Sequence, residues 1–154
     1  MHSHSAFAYK GGPSRSLASS EASLPNDSGL SPMPQRVFLV EDNPLIRQTM
    51  TEMLEDVAGA CVVAWADSEQ PAIAQMRREP WDVALVDLFL REGSGLGVAR
   101  AFMQRAAHQR LYVVTNYATP DIRERCMRQR VDGVFDKSTE LDRLLAALEH
   151  GDSA

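Results

Sequence analysis

Three carboxylates stand at the ends of two apolar runs: Glu41 and Asp42 directly after "RVFLV", and Asp87 directly after "VALV". Charged side chains are rarely buried without a partner, so an apolar run that delivers a carboxylate calls for one. If the two runs are neighbouring strands, the three groups converge and repel one another. A hard divalent cation relieves such repulsion, and Mg2+ suits an all-oxygen set because it combines one or two carboxylates with waters and phosphate oxygens. Alone, Asp87 could simply start a loop and Asp42 could share a turn with Asn43; three like charges together need the stronger account. Two more residues complete the set. Thr115 ends "RLYVVT" and Lys137 ends "GVFDK". Each by itself reads as an ordinary strand end or a solvated lysine, but at one sheet edge hydroxyl and ammonium become two ligands for phosphate oxygens. Carboxylate nucleophile, metal, lysine and hydroxyl suffice for phosphoryl transfer, where catalysis is positioning and charge neutralisation.

The elements that must position these groups are legible from Arg36 onward. Five short runs, at 36–40, 60–65, 82–87, 110–115 and 133–137, are β-branched or aromatic and mostly unalternated, as expected of strands covered on both faces. Apolar spacing of three and four marks helices between them: Ile46, Met50, Met53, Leu54 and Val57 form one stripe, and Leu141, Leu144, Leu145 and Leu148 another. Asn43 before Pro44 predicts a capped helix start, and Ser68, Thr119 and Ser138 predict three more. Strands alternating with helices imply right-handed βαβ units and a parallel sheet. Such sheets bind ligands beyond the carboxyl ends of their strands, which is where all five candidate residues fall.

The chain has 154 residues with a formal charge of −5, which argues against a general nucleic-acid binder. No apolar run approaches the roughly 18 residues of a membrane span, and the first residues lack the pattern of a secretory signal. Cys61 and Cys126 are too few for a disulfide framework, so a cytoplasmic protein with two free thiols is expected. Residues 1–34 are rich in Ser, Gly and Pro and read as a disordered tail, whether native, a mis-assigned start or added sequence. The globular part spans 35–150, and 151–154 form a short C-terminal tail.

The segments "VFLVEDNP", "VALVDLFLREGSGL", "VVTN" and "GVFDKS" resemble the receiver domain of bacterial two-component response regulators, in the family order and across roughly residues 35–150. That resemblance implies a flavodoxin-like, doubly wound (βα)5 fold with a five-stranded parallel sheet in the order 2-1-3-4-5. It further implies a transient aspartyl phosphate. Asp87 matches the phosphoacceptor, exposed enough to attack a donor and neutralised by Mg2+ and Lys137. Asp42 matches the direct Mg2+ ligand, Glu41 a ligand acting through water, and the backbone carbonyl of Phe89 the third protein ligand. Thr115 and Lys137 match the family hydroxyl and lysine. The implied partners are a sensor histidine kinase or histidine phosphotransfer protein as donor and an unidentified downstream protein reading the face of the helix at 119–130. A second copy of the chain, in a homodimer, is a further candidate partner; no direct nucleic-acid or membrane contact is expected. The resemblance implies a signalling domain and not an enzyme, with at most intrinsic Mg2+-dependent self-phosphorylation and autodephosphorylation. With no effector segment before Ala154, a stand-alone receiver is expected.

Several residues depart from the usual family pattern. Glu41 replaces the commoner Asp, Arg91 stands where Pro is frequent, and Ser138 follows the lysine where a cis Pro is frequent, so a trans bond is expected there. Val134 stands where a Tyr or Phe usually turns inward on activation; either Tyr117 takes that part or the loop after Thr115 carries the output alone. Phe89 and Tyr117 occupy positions that tune phosphoryl hydrolysis in the family, and two bulky rings there would screen water. These departures keep a phosphorylation-independent scaffold or dimerisation module as the alternative. A haloacid-dehalogenase-like phosphatase uses the same residue types, but it needs D-x-D after the first strand, where this chain has "VEDN", and a cap domain.

Overall fold

The computed structural model describes residues 33–149. All but the last two residues of the expected N-terminal tail, together with residue 150 and the expected tail over 151–154, lie outside the described residues. Five strands, β1 (Arg36–Val40), β2 (Cys61–Ala66), β3 (Val83–Asp87), β4 (Arg110–Thr115) and β5 (Gly133–Asp136), alternate with five helices. The helices are α1 (Pro44–Asp56), α2 (Glu69–Arg78), α3 (Gly95–Ala101), α4 (Pro120–Arg128) and α5 (Leu141–Glu149). The sheet is parallel throughout and its order is β2-β1-β3-β4-β5, the doubly wound arrangement expected from the sequence.

Two apolar layers cover the sheet. Met50 and Leu54 of α1 and Leu144 and Leu148 of α5 pack on Val37, Leu39, Val83 and Leu85. On the other face, Ala72 and Met76 of α2, Val98 of α3 and Cys126 of α4 meet Phe38, Val40, Ala84 and Val86. Every residue of β3 is buried, because the central strand is covered on both sides. β2 is an edge strand and alternates buried with half-buried positions, contrary to the unalternated reading of its sequence. Val57 is likewise exposed, since α1 ends before it and its stripe is completed by Leu54.

Local chemistry explains the element ends. Asn43 Oδ1 accepts from the backbone N–H groups of Leu45 and Ile46, at 2.9 and 3.1 Å, capping α1. Thr119 Oγ1 caps α4 by accepting from Ile122 N. Ser68 occupies the cap position of α2 but bonds Asp67 Oδ1 instead. The cap expected at Ser138 lies two residues early: Asp136 Oδ1 accepts from Ser138 N and Thr139 N, forming a turn before α5 begins at Leu141. β3 begins at Val83 rather than Asp82, whose carboxylate is held by Arg36 through its backbone N–H and its guanidinium. Among the described residues, no helix is long and apolar enough to cross a membrane.

Candidate functional site

Strand register brings the acidic residues together. Val40 pairs with Val86 across β1 and β3, so the next residues, Glu41 and Asp87, leave adjacent strands at the same edge. The carboxylates of Glu41, Asp42 and Asp87 each offer an oxygen within 4.8 Å of the others. This edge lies between β1 and β3, where the chain's winding reverses direction and the connecting helices diverge to opposite faces.

On the other side of Asp87, β4 and β5 supply the remaining pair. Asp87 is in register with Val114, placing Thr115 one step further along the neighbouring strand. Thr115 is fully buried, and its Oγ1 accepts from Tyr117 N at 3.0 Å. Lys137 N donates to Thr115 O at 2.9 Å, tying the loop after β5 to the end of β4. The Lys137 ammonium then reaches across, donating to Glu41 Oε1 at 2.8 Å and Asp87 Oδ2 at 3.1 Å. The Lys137–Ser138 bond is trans, as expected of a non-proline.

Glu41 is 2% exposed and Asp87 7% exposed, whereas Asp42 is half-buried. Asp87 is therefore more enclosed than the family resemblance implied, because all of β3 lies inside the sheet and only its carboxyl end reaches the surface. Burial and the neighbouring charge of Glu41 push the Asp87 carboxyl up to about 6, against the opposing pull of Lys137 and a hydrogen bond from the Phe89 backbone. Burial draws the Lys137 ammonium down, but its hydrogen bond to Glu41 and the charges of Asp87 and Glu41 outweigh this and hold it above its ordinary value. Lys137 thus pairs with two of the three clustered carboxylates, Glu41 and Asp87. This is an all-oxygen donor set with excess negative charge, the chemistry that a hard divalent cation fits.

The loop from Leu88 to Ser94 closes over this edge. Phe89 and Ser94 form an isolated antiparallel bridge, and Gly95 N donates to Leu88 O at 2.9 Å. Gly95 must be glycine, since a Cβ there would lie against the Asp87 carbonyl. Arg91, the residue departing from the family Pro, pairs with Asp67 at 2.8 Å. Glu69 Oε1 accepts from Ser94 N and secures the same loop to α2. Phe89 and Tyr117 meet edge to face, with ring centroids 5.4 Å apart and planes at 88°, and are 54% and 61% exposed. They form a rim between the two loops that flank Asp87. Val134, by contrast, is buried in β5.

The 119–130 segment carries a run of four arginines, Arg123, Arg125, Arg128 and Arg130. Arg125 pairs with Asp121 and Arg128 with Glu124, both at helical spacing. Arg123 turns away from its helix surface toward β5 and Glu140. Arg130 adopts φ 62° after α4, and its carbonyl accepts from Arg105. The sequence offered the acidic set, Thr115 and Lys137 directly. It did not disclose Asp67, Glu69 or Glu140, since a partner distant in sequence carries no local signal.

The response regulator receiver domain family matches residues 37–149, and the chain belongs to that family. It is 27% identical over 113 residues to the response regulator GacA of Pseudomonas aeruginosa, covering 73% of this chain and 53% of that protein. The signal receiver domain of NarL from Mycobacterium tuberculosis superimposes with a TM-score of 0.69 at 25% identity, over 76% of this chain and 94% of that one. A Burkholderia pseudomallei response regulator whose crystal structure carries a phosphorylated aspartic acid, a calcium ion and citrate superimposes with a TM-score of 0.66 at 24% identity, over 74% and 66% of the two chains. The chain spans about half the length of the first curated relatives it matches, at 56% and 53% of two of them.

Proposed function

We propose that this receiver accepts a phosphoryl group on Asp87 from the phosphohistidine of a sensor histidine kinase or a histidine phosphotransfer protein. A carboxylate oxygen of Asp87 attacks phosphorus, the P–N bond breaks, the electron pair leaves with the imidazole, and an acyl phosphate forms. Asp42, Asp87 and the Phe89 carbonyl would hold Mg2+ directly and Glu41 through water. When bound, the ion neutralises charge on the carboxylates and the transferring phosphoryl oxygens. Lys137 supplies a fixed positive charge to a phosphoryl oxygen, and Thr115 donates its hydroxyl proton to another. The phosphorylated state is then read by contact with another protein or passed on in a relay.

The observation that carries this reading is the bridge of Lys137 from Glu41 to Asp87, at 2.8 and 3.1 Å, beside an excess of carboxylate at the switch point of the sheet. An intact acceptor, acidic set, hydroxyl and lysine in one place also favour it over a phosphorylation-independent scaffold. The test is intact-protein mass after incubation with acetyl phosphate, with and without Mg2+, on wild type and Asp87→Asn. A Mg2+-dependent gain of one phosphoryl group, absent from Asp87→Asn, is expected. An unmodified wild type that also fails to bind Mg2+ would favour the scaffold.

A further inference from the structure

Arg123 belongs to α4, yet its guanidinium spends its donors elsewhere. Nε donates to Ala118 O at 3.2 Å, Nη1 to Val134 O at 2.9 Å, and Nη2 to Glu140 Oε1 at 2.9 Å. Each acceptor lies in a different segment. Ala118 is in the loop leaving Thr115, Val134 is in β5, and Glu140 precedes α5. Glu140 Oε1 also accepts from Asp136 N at 2.9 Å, fixing the residue before Lys137. The Glu140 side chain is 19% exposed and that of Arg123 40%, so the carboxylate is the more enclosed partner of the junction.

The geometry points to Arg123 as a positioning residue that, with Glu140, couples α4 to the phosphoryl site by clamping the Thr115 loop to the Lys137 loop. The planar guanidinium is suited to this because its donors are fixed in a fork and reach three acceptors at once. Between the clamp and the site there are only short links. Tyr117 N donates to Thr115 Oγ1, and Lys137 N donates to Thr115 O. Any movement of Thr115 or Lys137 toward a phosphoryl oxygen therefore pulls on Ala118 or Asp136, and so on Arg123. Val134 offers no aromatic ring to relay such a movement, and the clamp engages that same residue through its backbone carbonyl. By linkage, a partner that binds α4 and displaces Arg123 must also change the affinity of the site for a phosphoryl group.

This inference rests on Asp87 being the acceptor. The experiment is amide hydrogen exchange on the full chain, with and without Mg2+ and beryllofluoride, for wild type, Arg123→Ala, Arg123→Lys and Glu140→Gln. Intact mass after acetyl phosphate and urea midpoints are recorded for each. In wild type, the phosphoryl mimic is expected to change exchange in 116–119, 133–137 and α4 together. In Arg123→Ala, Asp87 still takes the phosphoryl group, but the response of α4 falls at least about fivefold, the lower end of a typical allosteric coupling. Arg123→Lys keeps the charge opposite Glu140 but not the fork, and does not restore the response. Glu140→Gln, folded and phosphorylated, shows an intermediate loss. A response of α4 undiminished in Arg123→Ala, or restored by Arg123→Lys, overturns the clamp. If wild type takes no phosphoryl group, it is the acceptor reading that fails. If the variants are phosphorylated as wild type and differ from it only in urea midpoint, Arg123 is a structural tie and the coupling claim is wrong.

Discussion

Neutralising the acceptor should stabilise this domain when no divalent cation is present. In the metal-free site, burial and Glu41 raise the Asp87 carboxyl from 3.8 to about 6, despite Lys137. The folded protein therefore holds that proton more tightly than the unfolded chain. The corresponding stability is full below about pH 4 and is lost as the pH rises through about 6. A shift of about two pH units at ~1.4 kcal/mol per unit amounts to roughly 3 kcal/mol forgone at neutral pH. Asp87→Asn removes the charge but keeps an oxygen for Lys137, 3.1 Å away in the wild type. Allowing for an imperfect isostere, the variant should gain roughly 2 kcal/mol at pH 7.5, or about 1 M in urea midpoint for a domain of this size. The assay is urea unfolding in EDTA at pH 7.5 and at pH 4, then at pH 7.5 with Mg2+. The gain should fade at pH 4, where wild-type Asp87 carries its own proton, and shrink with Mg2+, which stabilises the wild-type carboxylates preferentially. A variant no more stable than wild type at pH 7.5 in EDTA would refute the reasoning, as would a gain that persists unchanged at pH 4.

The edge-to-face pair of Phe89 and Tyr117 stands at the rim of the site and should slow attack by water on the phosphoryl group. Phe89→Asn combined with Tyr117→Ala should shorten the phosphate half-life at least about threefold, a barrier change of roughly 0.7 kcal/mol; a half-life unchanged in the double variant would exclude this role. Gly95→Ala places a methyl group against the Asp87 carbonyl, where backbone must give way. It should cost about 1–3 kcal/mol in urea unfolding and slow phosphorylation by acetyl phosphate, and a variant matching wild type in both would contradict the packing described.

The strands and helices were readable because burial on both faces imposes a recognisable pattern. β3 shows this most clearly: its run of apolar residues ending in a carboxylate fits the middle of a covered sheet, where all five of its residues are buried. The same enclosure explains what was misread. The family resemblance implied an exposed Asp87, yet its solvent access is set by the loops and the two flanking strands. Ser138 resembles a helix cap, but Asp136 captures the backbone N–H groups first and delays α5 to Leu141. Arg123 was one charge in a run. Its three acceptors lie at sequence separations of 5, 11 and 17, and only the folded backbone brings them to one guanidinium. Glu41, Asp42, Asp87, Thr115 and Lys137 were legible because each stands at or just beyond the carboxyl end of a strand, and parallel strands collect those ends at one edge.

The most direct measurement of the central claim locates the phosphoryl group. Phosphorylated protein is reduced with borohydride, which converts an aspartyl phosphate to homoserine, and the peptide containing Val83–Asp87 is sequenced by mass spectrometry. Homoserine at position 87, formed only in samples treated with both donor and Mg2+, is the predicted result. Homoserine at another aspartate, or a phosphoryl group that survives on a serine or histidine, would contradict it.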